Sequence, residues 1–310
     1  MSAQIPTAYV EQFSSNVTFL YQEGDYMLNG ATRVETVNGK TAWFDQIGKT
    51  SMTKRTQRHA PTVLSDIRQD RRKLVTDPYD GGSMIDEPDQ VRLLADLKGP
   101  FAENFRMAMN RTMTNVVLTE AIGTSYAKKN GATSESSVVL PTGASATSQT
   151  IAVNYVKGQA RGAGTGSNTN MILDKLTEAK YLLDIEDAPM GDPRFIAQTA
   201  SQLKAMLDNI TEVKSSDYAN VKALVDGEVD YFMGFRFLLT NEVAVNASDI
   251  ASVVAWTKNA ILLGKATAPS VRVDERPDLS YGIQVFATMD IGATRMQEEG
   301  VIEIKCDQSP

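Results

Sequence analysis

Residues 34–44 read Val-Glu-Thr-Val-Asn-Gly-Lys-Thr-Ala-Trp-Phe, and the polar, basic stretch 49–80 follows almost at once. Two β-prone runs flank Asn38-Gly39. Asn-Gly is the strongest short hairpin signal, because both residues tolerate the positive φ of a type I′ turn. The expectation is a hairpin in which Val34-Glu-Thr-Val37 leads in and Thr41-Ala-Trp-Phe44 leads out. A lone hairpin is marginal in water, so its partners must come from further along the chain or from another chain. The next stretch supplies no core of its own. Between residues 49 and 73, Lys49, Lys54, Arg55, Arg58, Arg68, Arg71, Arg72 and Lys73 face only Asp66 and Asp70, and the apolar anchors of 49–80 are Val63, Leu64, Ile67, Leu74 and Val75. The segment therefore reads as the return path of a long extended loop begun by the hairpin. A basic run of this kind suits an interface with an acidic neighbour, where charge sets orientation, better than it suits phosphate in a chain this acidic. The residues singled out for inter-subunit contact are Asn38, Gly39, Trp43, Arg55, Arg58, Arg68, Arg71, Arg72 and Lys73.

On the N-terminal side, residues 1–30 read as an arm punctuated by Gly24 and Gly30. Val10, Phe13, Val17 and Leu20 are spaced for one amphipathic turn, too short to be stable alone. It is expected to dock elsewhere, for instance on a neighbouring subunit. On the C-terminal side, Asp86–Lys129 is the most regular stretch. Val91, Leu94 and Leu97 predict a first helix, and Gly99-Pro100 breaks or kinks it, since proline removes a donor and clashes one turn back. A second helix is predicted from about Pro100 to Lys129, carrying Phe101, Phe105, Ala108, Thr112 and Val116 at spacings of three and four. At 1.5 Å per residue it is roughly 40 Å long, a strut.

Residues 130–170 are rich in Gly, Ser and Thr, with short strands expected at Val138–Leu140 and Ile151–Val153. Thr169 or Asn170 can cap a helix whose apolar face is Ile172, Leu176, Ala179 and Leu183. From Arg194 the pattern alternates between α and β. It predicts a strand at Phe195–Ala197, a helix capped by Ser201 and a helix at Asp217–Val225. A strand over Phe232–Thr240 follows, then core segments at Val253–Trp256 and Ile261–Leu263. Strand runs at Val271–Val273, Tyr281–Met289 and Val301–Lys305 complete the chain.

The composition leaves little room for catalysis or specific nucleic-acid binding. The chain has 310 residues, 42% apolar and 22% charged, with net charge −7. Sequence-specific nucleic-acid binding needs a cationic footprint that such a chain lacks. One cysteine, Cys306, and one histidine, His59, exclude a disulfide framework and a Cys/His zinc site; as a dyad they are outweighed by an inert thiol and a loop histidine. Asp184, Glu186, Asp187 and Asp192 lack the pattern of a calcium loop and read as a solvated acidic turn. Gly158–Gly166 has neither Walker nor dinucleotide spacing and reads as a surface loop. Glu298-Glu299, if in a strand, point to opposite faces and cannot share a substrate. No apolar run approaches a membrane span, and no secretory signal opens the chain. No metal or cofactor is expected.

The order of parts resembles the Hong Kong 97-type fold of tailed-phage major capsid proteins, an α+β fold. Arg58-His-Ala-Pro-Thr-Val-Leu-Ser-Asp66 with Asp70-Arg-Arg72 is similar to the return limb of that family's extended E-loop. Gly99-Pro-Phe-Ala-Glu-Asn-Phe105 and Met109-Asn-Arg-Thr-Met113 resemble the start of its spine helix. Val221-Lys-Ala-Leu-Val-Asp-Gly-Glu-Val229 and Met233-Gly-Phe-Arg-Phe237 resemble its axial domain, and Asp274-Glu-Arg-Pro-Asp-Leu-Ser-Tyr281 with Gly292-Ala-Thr-Arg295 its last strands. The resemblance implies an N-terminal arm at 1–30, an E-loop at 31–85 and a peripheral domain with spine helix at 86–184. It places a mixed α/β axial domain at 185–265 and returning strands at 266–310. It implies a virion shell subunit, assembled in the host cytoplasm into hexamers and pentamers around double-stranded DNA. A separate scaffolding protein, a portal and, in some relatives, a decoration protein are the further partners. The rival readings are an encapsulin-like compartment and a metal-dependent α/β enzyme.

Overall fold

Helix α1, Lys98–Ile122, is the element against which the others are placed. In the computed structural model, which describes residues 22–58, 61–85, 98–129, 132–141, 148–162, 164–185, 189, 191–208 and 231–309, Gly99 and Pro100 lie in its first turn. Proline is tolerated there because its missing N–H would have no partner anyway, and its fixed φ suits a helix start. Gly99-Pro100 thus opens the helix. The stretch 86–97 expected to precede it lies outside the described residues, as does the helix expected at Asp217–Val225. Met109, Met113, Val117, Leu118 and Ala121 form the buried stripe, with Phe105 and Val116 partly buried beside it. The helix stops at Gly123, whose N–H reaches Thr119 O at 2.9 Å. It is about 37 Å long. The predicted end at Lys129 is wrong, because Ser125–Lys128 is a strand, β5, with alternating burial. Short alternating segments compete poorly for notice at the end of a strong helical stripe.

The strands form three sheets, two of which pack on this helix. The first runs, in spatial order, β1 (Arg33–Thr36), β12 (Ile261–Arg276), β13 (Gly282–Arg295) and β4 (Asp77–Ile85). The second has six strands: β7 (Thr150–Ile151), β14 (Val301–Asp307), β11 (Ile250–Thr257), β8 (Arg194–Gln198), β10 (Phe235–Leu239) and β9 (Tyr231–Phe232). The third is β2 (Thr41–Ile47), β3 (Gln69–Val75), β5 and β6 (Ser136–Val138). Helices α2 (Leu173–Ile185) and α3 (Ala200–Asp208) and a single 3-10 turn at Lys258–Ala260 complete the described elements. The main core joins the second half of α1, α2 and the six-stranded sheet around Trp256 and Phe235. A smaller core packs Met109 and Met113 on Ala287, Met289 and Ile291 of β13.

The hairpin expected around Asn38-Gly39 does not form. β1 pairs in parallel with β12, Arg33 opposite Leu262, while β2 pairs antiparallel with β3, Thr41 opposite Val75. Gly39 keeps its turn chemistry at φ +96°, but the turn passes the chain from one sheet to another. The physical reason is burial. Against β12, Val37 closes a small core with Leu74, Leu262 and Met296, which a free β1–β2 ribbon could not offer. Of the arm, residues 22–30 are described. Asn110 Nδ2 donates to Gly24 O at 2.8 Å, Arg111 reaches Gln22 Oε1 at 2.8 Å, and Leu28 and Ala31 are fully buried. Trp256 Nε1 donates to Ala31 O at 2.9 Å. Residues 22–31 thus dock on their own subunit, and Val10–Leu20 lie outside the described residues.

Smaller corrections follow the same logic. Met233 (φ 51°) and Gly234 (φ 92°) make a two-residue turn, so Phe232–Thr240 is a β9–β10 hairpin and not one strand. The cap of α3 is Thr199, whose N–H donates to Gln202 Oε1 at 2.8 Å, in place of Ser201. Helix α2 begins just after Ile172, and Asn170 Oδ1 accepts from the Met171 N–H without capping the helix. Glu298 and Glu299 lie in the turn between β13 and β14 and not in a strand.

One glycine pair sets how two sheets meet. Gly264 of β12 is opposite Gly292 of β13, and the chain at Val75–Thr76 crosses directly over them. A Cβ on Gly292 would lie 1.9 Å from Val75 O, and one on Gly264 would lie 2.7 Å from Leu74 Cδ2. A backbone carbonyl cannot move aside as a side chain can. Gly292→Ala is therefore expected to cost about 2–3 kcal/mol, read as a lower midpoint in urea unfolding at unchanged m-value.

Candidate assembly surface

The third sheet is the stem of the long loop. β2 and β3 pair over Thr41–Ile47 and Gln69–Val75, and the last rung is Gly48 N–H to Arg68 O at 2.8 Å. Beyond that rung the described residues 50–58 and 61–67 are all exposed. Met52 is 100% and Leu64 91% exposed, with Val63 and Ile67 also open to solvent. The hydrogen bond from Arg55 Nε to Gln57 O at 2.9 Å stays within the loop. Four apolar side chains held clear of their own subunit over so short a span are a patch in search of cover.

The stem has two unlike faces, because neighbouring residues on a strand alternate sides. The inner face carries Ala42, Phe44 and Leu74 against the body. The outer face carries Trp43, Lys73 and Tyr126 directly across from one another on β2, β3 and β5, with Asp45, Arg71 and Lys128 as the next row. Lys73 Nζ lies 5.9 Å from the Trp43 ring and 6.0 Å from Tyr126, and Lys128 Nζ lies 5.2 Å from Trp43. Cations over aromatic faces are weakly attractive at exposed sites, so this ladder holds a flat, charged surface in shape.

The structure separates the sequence-predicted contact residues. Arg55 and Arg58 stand in the exposed loop. Arg68 pairs with Asp70 at 2.5 Å where the loop leaves the stem. Arg71 pairs with Asp45 at 2.7 Å and Lys73 with Glu135 at 2.9 Å, both on the outer face. Asn38 and Gly39 line an open cleft with Lys40, Thr76, Asp77 and Pro78. Arg72 is the exception, because it points inward, is buried, and meets Glu298 at 2.7 Å. It is unavailable for contact with another chain, as alternation from exposed Arg71 requires. The basic run is thus less naked than its sequence suggests, since Asp45, Glu135 and Glu298 come to it from elsewhere. Sequence reading missed Tyr126 and Lys128, whose signal was the alternation of Ser125-Tyr-Ala-Lys128. It also passed over the exposure of Met52 and Leu64.

Other chemistry-bearing residues have structural partners. Asp184 pairs with Arg194 at 2.7 Å, and Asp192 accepts from Asn259 at 2.8 Å. In the glycine-rich loop, Asn154 Nδ2 donates to Gly164 O and Arg161 Nε to Glu178 Oε1, both within hydrogen-bond range. His59 lies outside the described residues. Cys306 is fully buried on β14, and burial pushes its thiol up to about 12 while nearby Lys175 pulls the other way. A protonated, inaccessible thiol is unreactive. The native protein is expected to take up no label from an aromatic disulfide reagent at neutral pH, and one equivalent after unfolding in urea; rapid labelling of native protein would contradict this burial. Among the described residues no group of three or more His, Cys, Asp or Glu could hold a metal ion, and no helix is long and apolar enough to cross a membrane.

Comparison with known proteins adds the family. A family described as phage capsid protein matches residues 5–308. The capsid of Ralstonia phage GP4 is similar over 100% of this chain and 98% of that one, at 11% identity and a TM-score of 0.71. The capsid structure of cyanophage P-SCSP1u matches over 97% and 94%, at 15% identity and a TM-score of 0.68. The cyanophage Pam1 capsid matches over 99% of each chain, at 11% identity and a TM-score of 0.68. At such identities the likeness is one of fold. No curated protein matches the sequence.

Proposed function

This chain belongs to the phage capsid protein family, and from that premise we propose that it is the major capsid protein of a tailed phage, building the icosahedral shell from identical copies. The observation that carries this reading is the loop 48–68. It spends backbone order and exposes Met52, Val63, Leu64 and Ile67 without covering them in its own subunit. Such an element is useful only when a neighbour completes it, and a closed shell repeats one heterologous contact around its symmetry axes. Individually modest contacts then hold together through multivalency.

In the finer reading, residues 31–85 act as the extended E-loop, α1 as the spine helix, 185–265 as the axial domain around which copies gather into hexamers and pentamers, and 266–310 as the returning strands. Arg55, Arg58, Arg68, Arg71 and Lys73, with Trp43, Asn38 and Gly39, are the contact candidates of this reading. A separate scaffolding protein and a portal would guide assembly in the host cytoplasm, double-stranded DNA would be enclosed without sequence reading, and a decoration protein could bind outside. The acidic balance of the chain supports enclosure without adhesion, since a wall of net charge −7 per copy repels phosphate.

The test is assembly of the purified chain, alone and with its scaffolding protein, followed by sedimentation velocity and negative-stain microscopy. Closed shells of megadalton mass support the proposal. A stable 33.8 kDa monomer under every such condition would overturn it.

A further inference from the structure

Arg72 of β3 and Arg295 of β13 lie in different sheets and are almost wholly buried, at 4% and 0% exposure. Two guanidiniums withdrawn from water require nearby counter-charge. Both face one carboxylate, Glu298 on the turn between β13 and β14. Its Oε1 lies 2.7 Å from Arg72 Nη2 and 3.9 Å from Arg295 Nε. Burial lowers the Arg295 pKa most; Glu298 and Glu120 raise it, and Arg72 lowers it further. Glu298 Oε1 and Arg295 Nε meet as an ion pair without a hydrogen bond, and three of the guanidinium nitrogens go to backbone carbonyls. Arg295 Nη1 reaches Ala121 O at 2.7 Å and Gly123 O at 2.9 Å, and Nη2 reaches Val138 O at 3.0 Å. Arg72 Nη2 reaches Met296 O at 3.1 Å, and Gln46 Nε2 donates to the same carbonyl.

These bonds meet at one joint. Gln46 and Arg72 belong to the stem of the exposed loop, whereas Ala121, Gly123 and Arg295 belong to the end of α1 and to β13. The joint is not tightly packed. An open groove of about 1010 Å³ runs beside it, lined by Arg68, Arg72, Met296, Glu298 and Lys129 among others. The apolar support nearby is the small cluster of Val37, Leu74, Leu262 and Met296, separate from the main core. Two of the buried nitrogens of Arg72, Nε and Nη1, find no acceptor among the described residues. Charge therefore joins stem to body here, beside the close packing of Leu74 and Val75 on Gly264 and Gly292.

We infer that Glu298 is a positioning residue: by sharing its carboxylate between buried Arg72 and Arg295 it clasps the stem to the subunit and sets the direction in which residues 48–68 leave it. The inference rests on the reading of that loop as the assembly element. Neutralising Glu298 sets two buried cations against each other at the joint, while Trp256 and the six-stranded sheet are untouched.

The test is hydrogen exchange by mass spectrometry on the full chain, comparing stem peptides (41–47 and 69–75) with peptides of β11 and β14. Glu298→Gln is expected to speed stem exchange about tenfold or more and leave the six-stranded sheet unchanged, the pattern of a local opening. Arg72→Met gives a milder second variant with the same local signature. The double variant is expected to be no worse than Glu298→Gln alone, because the two residues act through one contact. Uniform acceleration in every peptide, or stem exchange at the wild-type rate in both single variants, would overturn the inference. Shell assembly is scored separately on a loop-deleted chain. If that chain assembles, the assembly reading fails while the exchange result still judges the clasp.

Discussion

A chain in which residues 50–67 are replaced by a short Gly-Ser turn is expected to fold and yet form no shells. The replacement is geometrically mild, because Gly48 and Arg68 already face each other across the last rung of the stem at 2.8 Å, and a two- to four-residue connection closes such a ladder. It removes little from the subunit's own stability, since the described residues of the loop are exposed and bury little at home. What it removes is the surface offered to a neighbour. Burying a side chain such as Leu64 or Met52 is worth about 1.5–3 kcal/mol, and four of them lie on the loop. A loss of that size at every contact of a multivalent shell takes assembly from complete to undetectable. Sedimentation velocity reads the outcome as a single slow species, with thermal unfolding close to that of the parent chain. Shells of normal appearance from the shortened chain would sink the assembly role of the loop.

Lys175→Met is expected to produce the largest loss of subunit stability, about 3 kcal/mol. Lys175 is fully buried on α2, and the three N–H donors of its ammonium are shared among four backbone carbonyls: Val153 at 3.0 Å, Thr169 at 2.7 Å, Asn170 at 3.2 Å and Lys305 at 2.8 Å. Those carbonyls come from the loop after β7, the approach to α2, and β14. Methionine matches the volume and leaves four acceptors without their donor, and buried acceptors left unmade are costly. The residue also has a pH signature. Burial lowers its pKa from 10.5 to about 8. Between those values the unfolded chain binds more protons than the folded one, so stability rises with pH across that window. The rise is on the order of 3 kcal/mol. Urea unfolding at pH 7.5 and pH 10 is expected to show part of this gain in the parent chain and not in Lys175→Met. A variant as stable as the parent, or a gain of equal size in both, would contradict the assignment.

Much of the architecture was legible from local pattern. The three-and-four spacing of Phe101, Phe105, Ala108, Thr112 and Val116 identified α1, because a helical face turned to the core leaves its period in the sequence, and the β-prone run Val301–Lys305 identified β14. The exposed loop was legible for the opposite reason: too few apolar residues to bury. The phage capsid family match agrees with the shell reading and favours neither the compartment nor the enzyme alternative. The errors have a common cause. Asn38-Gly39 does turn the chain, but a turn signal does not choose partners. Ser125–Lys128 was absorbed into a helix because four residues carry little periodic information. Ser201 lost the cap of α3 to Thr199 because Gln202 answers from within the helix.

By itself the sequence determined which segments could bury a face and which could not, and hence that residues 49–80 had no core of their own; composition and periodicity are local properties and suffice for that. The structure takes 69–75 and 77–80 into two sheets and leaves the described residues of 50–67 exposed and outside them. Only the tertiary structure decided where the pieces went. It took Val34–Val37 to β12 and away from β2, turned Arg72 inward to Glu298 and Lys73 outward to Glu135, and laid Val75 across Gly292. Those choices depend on competition among surfaces far apart in the chain, and burial and counter-charge resolve that competition only when all the surfaces are present together.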